Sequence, residues 1–383
     1  MHTGPLAGIR VVEIAGIGPA PFAGMVLADF GAEVIVVERK QQNGNAGLKF
    51  DHDKQAIFNR GKRSLAVDLK SQQGIDVVLK LVASADVLIE GFRPGVMERL
   101  GLGPDICQEN NPKLIYGRMT GWGQTGPLAQ VAAHEPNYTA LSGALWYGGR
   151  ADHAPSAPLS TMGDIGGGSM TLLLGILSAL IHAQKTGQGQ IIDAAITDGS
   201  AYNSSLLWSL YHAKQLDDEF GQGWADGGAP WNDIYQCADG RYVSVCALEP
   251  DFYRLFLDKL DLATEPCMKE QWDKSQWPPA RAKLAERFLS KTQQQWCQLL
   301  EGSDACFAPV LNFSQATGHP HNIARETFVE VDQTLQPAPA PKLSQTPGRA
   351  GRVPNKGQHN DEILRELGLS EQECVALKEN SVI

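Results

Sequence analysis

One carboxylate in this sequence stands where it could work on an acidic carbon. Asp164 lies in Gly163-Asp164-Ile165-Gly166-Gly167-Gly168, at the entrance of a helix expected from about Ile165. Aspartate at a helix entrance commonly serves as an N-cap. The four glycines open a second use, because they let a ligand approach the backbone, where unpaired amides at a helix start can stabilise a developing oxyanion. A carboxylate beside an oxyanion site suits enolate chemistry. Arg39, Lys40, Arg60, Lys62, Arg63 and Arg93 form a basic group within residues 1–100, which hold 12 Lys or Arg against 11 Asp or Glu. Such groups are often solvated faces. The whole chain has a formal net charge of -10, so an anionic ligand should prefer this part. Arg60-Gly61-Lys62-Arg63, just before the strand-like Ser64 to Leu69, is the sharpest candidate for phosphate contact.

Other chemistries fall away. Gly16-Ile17-Gly18-Pro19-Ala20-Pro21 follows a strand and precedes Glu38 as a dinucleotide fingerprint would, but Pro21 replaces the third glycine. It reads instead as a helix N-terminus stiffened by prolines, able to hold some other phosphate or a carboxylate. His134-Glu135 lacks the second histidine of a zinc protease, and Pro136 interrupts the helix that motif needs. No G-x-S-x-G elbow and no phosphate-binding loop of the NTPase type occur. The seven cysteines form no CxxC pair, so neither a zinc site nor a disulfide framework is expected. The acidic balance argues against nucleic acid. The longest apolar run, Met170 to Ala183, is shorter than a bilayer span, and Met1 to Gly8 lacks the features of a signal peptide. A cytoplasmic protein with no membrane partner is the expectation.

The elements that must position Asp164 are legible as alternating patterns. Ile9 to Ile14, Glu33 to Val37, Asp86 to Glu90, Lys113 to Arg118 and Ile191 to Ile196 are short apolar runs of strand type. Pro21 to Phe30, Gly74 to Ser84, Gly95 to Leu100, Ile165 to Gln184 and Gly199 to Ala213 have helical composition. That alternation predicts an α/β domain with a parallel sheet over residues 1–200. After a linker at 201–227 the texture changes, and Asp239-Gly240 between two strand-like runs predicts a hairpin in a small domain at 228–314. Residues 315–383 read as a proline-punctuated arm and two short helices.

Val11-Val12-Glu13, Gly18-Pro19-Ala20-Pro21-Phe22-Ala23 and Leu27-Ala28-Asp29-Phe30-Gly31-Ala32 resemble the opening of the class III CoA-transferase (CaiB/BaiF) superfamily. Arg60-Gly61-Lys62-Arg63-Ser64, Phe92-Arg93-Pro94-Gly95-Val96, Gly121-Trp122-Gly123-Gln124-Thr125-Gly126-Pro127, Gly187-Gln188-Gly189-Gln190 and Gly357-Gln358-His359 extend the resemblance over nearly the whole chain. Within the superfamily the sequence is most similar to the branch that racemises 2-methylacyl-CoA thioesters. That branch has a Gly-His-Asp-x-Asn-Tyr segment, here Ala133-His134-Glu135-Pro136-Asn137-Tyr138, an Asp before a glycine-rich helix, here Asp164, and a Glu-Pro-x-Phe-Tyr segment, here Glu249-Pro250-Asp251-Phe252-Tyr253. Asp226-Gly227-Gly228-Ala229-Pro230 is another racemase-like string. Ala133 and Glu135 depart from the branch's Gly and Asp, and Pro155 to Met162 is less similar.

The resemblance implies a Rossmann-like large domain built from both chain ends, a small α+β domain, and an interlocked homodimer. It implies that (2R)- and (2S)-2-methylacyl-CoA interconvert through an enolate, with His134 and Asp164 as acid and base and Glu249 fixing the tautomer of His134, the partner chain's in such a dimer. It also implies contacts to CoA or the thioester from Arg39, from Ala66, Val67, Asp68 and Leu69, from Arg93, and from Ala133 to Tyr138. CoA enters as part of the substrate, and neither a metal nor a nicotinamide is expected. Two other readings follow from the same residues: CoA transfer between carboxylic acids with Asp164 as nucleophile, or CoA binding without catalysis.

Overall fold

The computed structural model describes residues 4–40, 56–156 and 160–383. The chain divides into two compact units, Met1–Ser142 with Pro158–Asn203 and Arg325–Ile383, and Gly143–Ala157 with Ser204–Ala324.

The first unit is built on β1 (Arg10–Ile14), β2 (Glu33–Glu38), β3 (Arg63–Ala66), β4 (Val87–Glu90), β5 (Ile115–Thr120) and β6 (Ile191–Ala195). They form one parallel sheet in the order β3-β2-β1-β4-β5-β6, so the winding reverses between β1 and β4. A parallel sheet has helices on both faces and its strands are therefore apolar throughout. The sequence meets that demand through the two-residue period of a strand. Val12, Ile14, Ile35, Val37, Leu65, Leu88 and Tyr116 join the core under the helix Gln72–Ala83, while Val11, Val34, Val87, Ile89, Ile115 and Met119 join the core under Pro19–Asp29 and Met170–Thr186. The chain end closes the first of these cores with Ile363, Leu364, Leu377, Val382 and Ile383. The Rossmann-like α/β expectation is met.

The helix bearing Asp164 begins earlier than the sequence suggests. Residues Thr161–Ser169 are wound as a π-helix that runs directly into Met170–Thr186. Asp164 therefore lies inside the helix and is not its N-cap. The cause is packing: a Cβ on Gly167 would sit 2.5 Å from Ser200 Oγ, and one on Gly199 would sit 1.8 Å from the Gly167 carbonyl oxygen. The glycines thus bring the π-helix against the helix Ile196–Asn203 almost backbone to backbone. Wide turns of this kind are frequent at functional sites. The joined helix has 26 residues, with a mean hydropathy of 1.6 over its most apolar 18, and is longer than the apolar run picked out above and long enough to cross a bilayer. Its Leu172, Leu173, Ile176, Ala179 and Leu180 lie in the core of the sheet.

In the second unit β7 (Asn232–Gln236), β8 (Tyr242–Cys246) and β9 (Phe307–Val310) form an antiparallel sheet. The hairpin turns at Asp239-Gly240, where Gly240 takes φ +76°. Trp231, Tyr235, Phe256, Phe288 and Trp296 fill its core. Glu249, exposed, is the N-cap of the helix Pro250–Lys259, and its carbonyl accepts the Tyr253 N–H at 2.9 Å. A hairpin of β10 (Phe328–Val331) and β11 (Thr334–Pro337) follows in the first unit.

Candidate active site

In an open α/β sheet, ligands bind outside the carboxyl ends of the strands where the winding reverses. A cavity of about 560 Å³ lies there in the first unit. Its wall is made by the segments that leave β1 (Ala15 to Ala20), β2 (Glu38, Arg39), β4 (Gly91 to Pro94) and β5 (Gly121, Trp122), together with Ala133, His134, Tyr138, Asp164 and Lys356. His134 and Asp164, 30 residues apart in sequence, thus share one cavity.

Each is placed by identifiable packing. The Tyr138 ring meets Trp122 edge-on with centroids 4.8 Å apart, and a Cβ on Gly121 would fall 2.0 Å from that ring. The Tyr138 hydroxyl donates to the Ala133 carbonyl. The His134 carbonyl accepts the Asn137 N–H at 2.8 Å. These contacts hold the segment 133–138 over the end of β5, with the imidazole exposed to the cavity. Burial raises the Asp164 carboxyl above its ordinary range, and the negative charge of Glu135 raises it further. A Ser160 hydrogen bond and the charge His134 can carry pull it down. The two groups are close enough to feel one another electrostatically.

Glu135, which stands where the family has Asp, makes contacts that its sequence position does not announce. Its Oε1 accepts the Gly163 N–H at 2.7 Å and its Oε2 accepts the Asp164 N–H at 2.9 Å. The Ile165 N–H is bonded to the Ser160 carbonyl at 3.0 Å. The amides of Gly163, Asp164 and Ile165 are therefore occupied, and these three do not supply the oxyanion site expected there.

The basic group separates into two sets. Arg39, Arg93 and Lys356 line the cavity, and among the described residues none of them is in an ion pair. Lys356 comes from the returning arm and had no local sequence signal. Arg60, Lys62 and Arg63 do not line it, which corrects the phosphate role read for them. Arg60, 2% exposed, binds Asp29 at 2.6 Å, Gln336 at 2.7 Å and the Pro337 carbonyl at 2.8 Å. Lys62 Nζ lies 2.7 Å from Glu13 Oε2 and 3.0 Å from the Pro21 carbonyl oxygen, in full burial. Arg63 is held by Glu33, Glu362 and Glu366. These cations fasten β1, β3, the first helix and the arm to one another.

Ala66, Val67, Asp68 and Leu69 lie at the end of β3 beside Glu38 and outside the cavity wall. The amides of Ala66, Val67 and Asp68 bond Asn360, Glu38 and Val382. Residues 157–159, within the less similar Pro155 to Met162 segment, lie outside the described residues.

The Lys62–Glu13 pair allows a stability prediction. Burial already raises Glu13 to about 6 despite the ammonium beside it. Lys62→Met should cost about 3–5 kcal/mol, because a buried carboxylate loses its partner. In that variant Glu13 is favoured protonated in the fold, a contribution present at low pH and lost as pH rises through the folded pKa, so the deficit should grow with pH. Urea unfolding at pH 5 and pH 8 checks this, and a deficit that shrinks with pH would contradict it.

Over residues 6–360 the sequence matches the family model described as CoA-transferase family III. It is 45% identical over 381 residues to a Mus musculus protein named alpha-methylacyl-CoA racemase and 43% identical over 381 residues to the Homo sapiens protein of that name, each covering 99% of this chain and 97% of the relative. A solved structure of a CaiB/BaiF family protein from Brucella suis is similar with a TM-score of 0.80 and 26% identity, over 95% of this chain and 99% of that one. With a family model matched over most of its residues and relatives matched over nearly their whole length, the chain belongs to CoA-transferase family III.

Proposed function

We propose that the chain is an isomerase that interconverts (2R)- and (2S)-2-methylacyl-CoA thioesters, with His134 and Asp164 on opposite faces of the α-carbon. The observation that carries this reading is the meeting of an imidazole and a carboxylate in one cavity whose other charged wall residues include Arg39, Arg93 and Lys356. The names of the Mus musculus and Homo sapiens relatives support the substrate class. In one direction His134 takes the α-proton, the electron pair moves into the thioester as an enolate, and Asp164 delivers a proton to the other face. In the reverse direction the roles exchange. The cations hold phosphates of the CoA portion, which is part of the substrate, and neither a metal nor a redox cofactor enters these steps.

Glu249 is assigned the orientation of His134 by family resemblance, acting across an interlocked homodimer. Met170, Leu174, Leu177 and Ile181 form an exposed apolar stripe on the helix Met170–Thr186, spaced along one face. Such a stripe supports association with a second copy. The cytoplasm is the compartment proposed with it.

The test is incubation of a single 2-methylacyl-CoA epimer with the protein in D2O. Deuterium at the α-carbon with loss of configuration, and no added acceptor acid, is the expected result. Thioester exchange that requires a second carboxylic acid would instead make Asp164 a nucleophile and the chain a transferase. Binding without either would end the enzyme reading.

A further inference from the structure

The racemase reading uses His134 and Asp164 but leaves unexplained what keeps them in register. They come from different parts of the chain, one from a segment after β5 and the other from the π-helix, and a shift of about 1 Å between such groups can lower a rate on the order of 10²-fold. Glu135 adjoins His134 and reaches the backbone of Asp164 itself. Both oxygens of its carboxylate are engaged, one on the Gly163 amide and one on the Asp164 amide. The fit is tight: a Cβ on Gly163 would stand 2.7 Å from the Glu135 carboxyl carbon and 2.8 Å from Thr139 Cγ2. Gly163 is thus the residue type that admits this contact.

We propose that Glu135 is a positioning residue whose carboxylate clamps the His134 segment onto the start of the Asp164 helix, so that the two groups meet the substrate as one rigid unit. This rests on the racemase reading for its purpose, though not for its geometry. The clamp has an electrostatic consequence, since a fixed anion beside Asp164 disfavours a second one. The other groups that act on Asp164 are the His134 imidazole and the Ser160 hydrogen bond. Tyr138, shifted up by burial and then by the charge of Asp164, and the cavity cations Arg39, Arg93 and Lys356 complete the charged surroundings. The packed helix Ile196–Asn203 carries Asp198 and Tyr202, both exposed, and Pro19–Asp29 carries Asp29, already bound to Arg60.

Glu135→Gln separates a clamp from a passive loop residue. The amide oxygen can accept one N–H, while the amide nitrogen faces the other N–H and cannot accept it. The expected result is a loss of kcat on the order of 10²-fold with little change in KM. The acid limb of the pH profile should also move to lower pH, because the neutral amide no longer opposes ionisation of Asp164. Glu135→Asp, which keeps the charge, should leave that limb near its wild-type position. A second readout does not require activity: the Asp164 carboxyl resonance in ¹³C spectra, identified by its loss in Asp164→Asn, should titrate at lower pH in Glu135→Gln. An unmoved limb and unmoved titration in a folded Glu135→Gln protein overturn the clamp. A wild-type protein that fails to exchange the α-proton overturns the racemase reading, while the titration still decides the clamp.

Discussion

Asp164→Asn and His134→Ala are each expected to abolish racemisation, with losses of about 10²–10⁴-fold, or roughly 3–5 kcal/mol of barrier, yet each should leave half of the proton chemistry alive. With two groups on opposite faces, removal of Asp164 leaves His134 able to take the α-proton of the epimer that points at it. The imidazolium then exchanges with solvent and returns deuterium to the same face. One epimer gains deuterium without inverting, and the other stays unlabelled. His134→Ala should label the opposite epimer. If both variants label the same epimer, a single base serves both directions and the two-face mechanism is wrong. The pH dependence adds a check. In either direction the working pair holds one proton between the imidazole and the carboxylate, so activity falls when the pair holds two and when it holds none. The acid limb should lie above the ordinary carboxylate range, because burial and Glu135 raise Asp164. It should also be the same limb for both epimers, since the equilibrium constant between mirror-image centres does not vary with pH.

Much of this frame is legible in the sequence. Val34 to Val37 and Val87 to Ile89 read as strands because a parallel sheet is covered on both faces and needs no polar alternation. The reversal between β1 and β4 then dictates where a ligand sits. Charged residues were the least legible. Arg60 and Lys62 look like free cations in the text, and nothing local announces that Asp29, Glu13 and Gln336 will be buried against them. Lys356 shows the converse, since its arrival at the cavity depends on an arm returning from the far end of the chain. The π-helix escaped for a similar reason. The glycines of 163–168 advertise close approach, but the approaching surface is the helix around Ser200, and that is a tertiary fact. Glu135 was visible only as an irregularity beside His134, because its partners are backbone amides, which carry no sequence signature.

Glu249→Ala should lower kcat roughly 100-fold by freeing the imidazole to adopt unproductive tautomers and orientations. Its position makes the loss informative. Glu249 belongs to the second unit, whereas His134 and Asp164 belong to the first. In the interlocked homodimer proposed here, Glu249 of one chain serves the His134 of the other. Co-expression of His134→Ala with Glu249→Ala then produces, in each mixed dimer, one site carrying both lesions and one carrying neither. Random pairing makes about half of all dimers mixed, so activity should recover to roughly a quarter of the wild-type level. Co-expression is required, because interlocked chains cannot exchange partners without unfolding. With differently tagged chains proving that mixed dimers formed, activity no higher than that of the two variants purified separately would place Glu249 and His134 on one chain or remove Glu249 from the reaction. Recovery would tie the proton chemistry to the assembly itself, since a monomer would then carry His134 and Asp164 without the carboxylate that orients them.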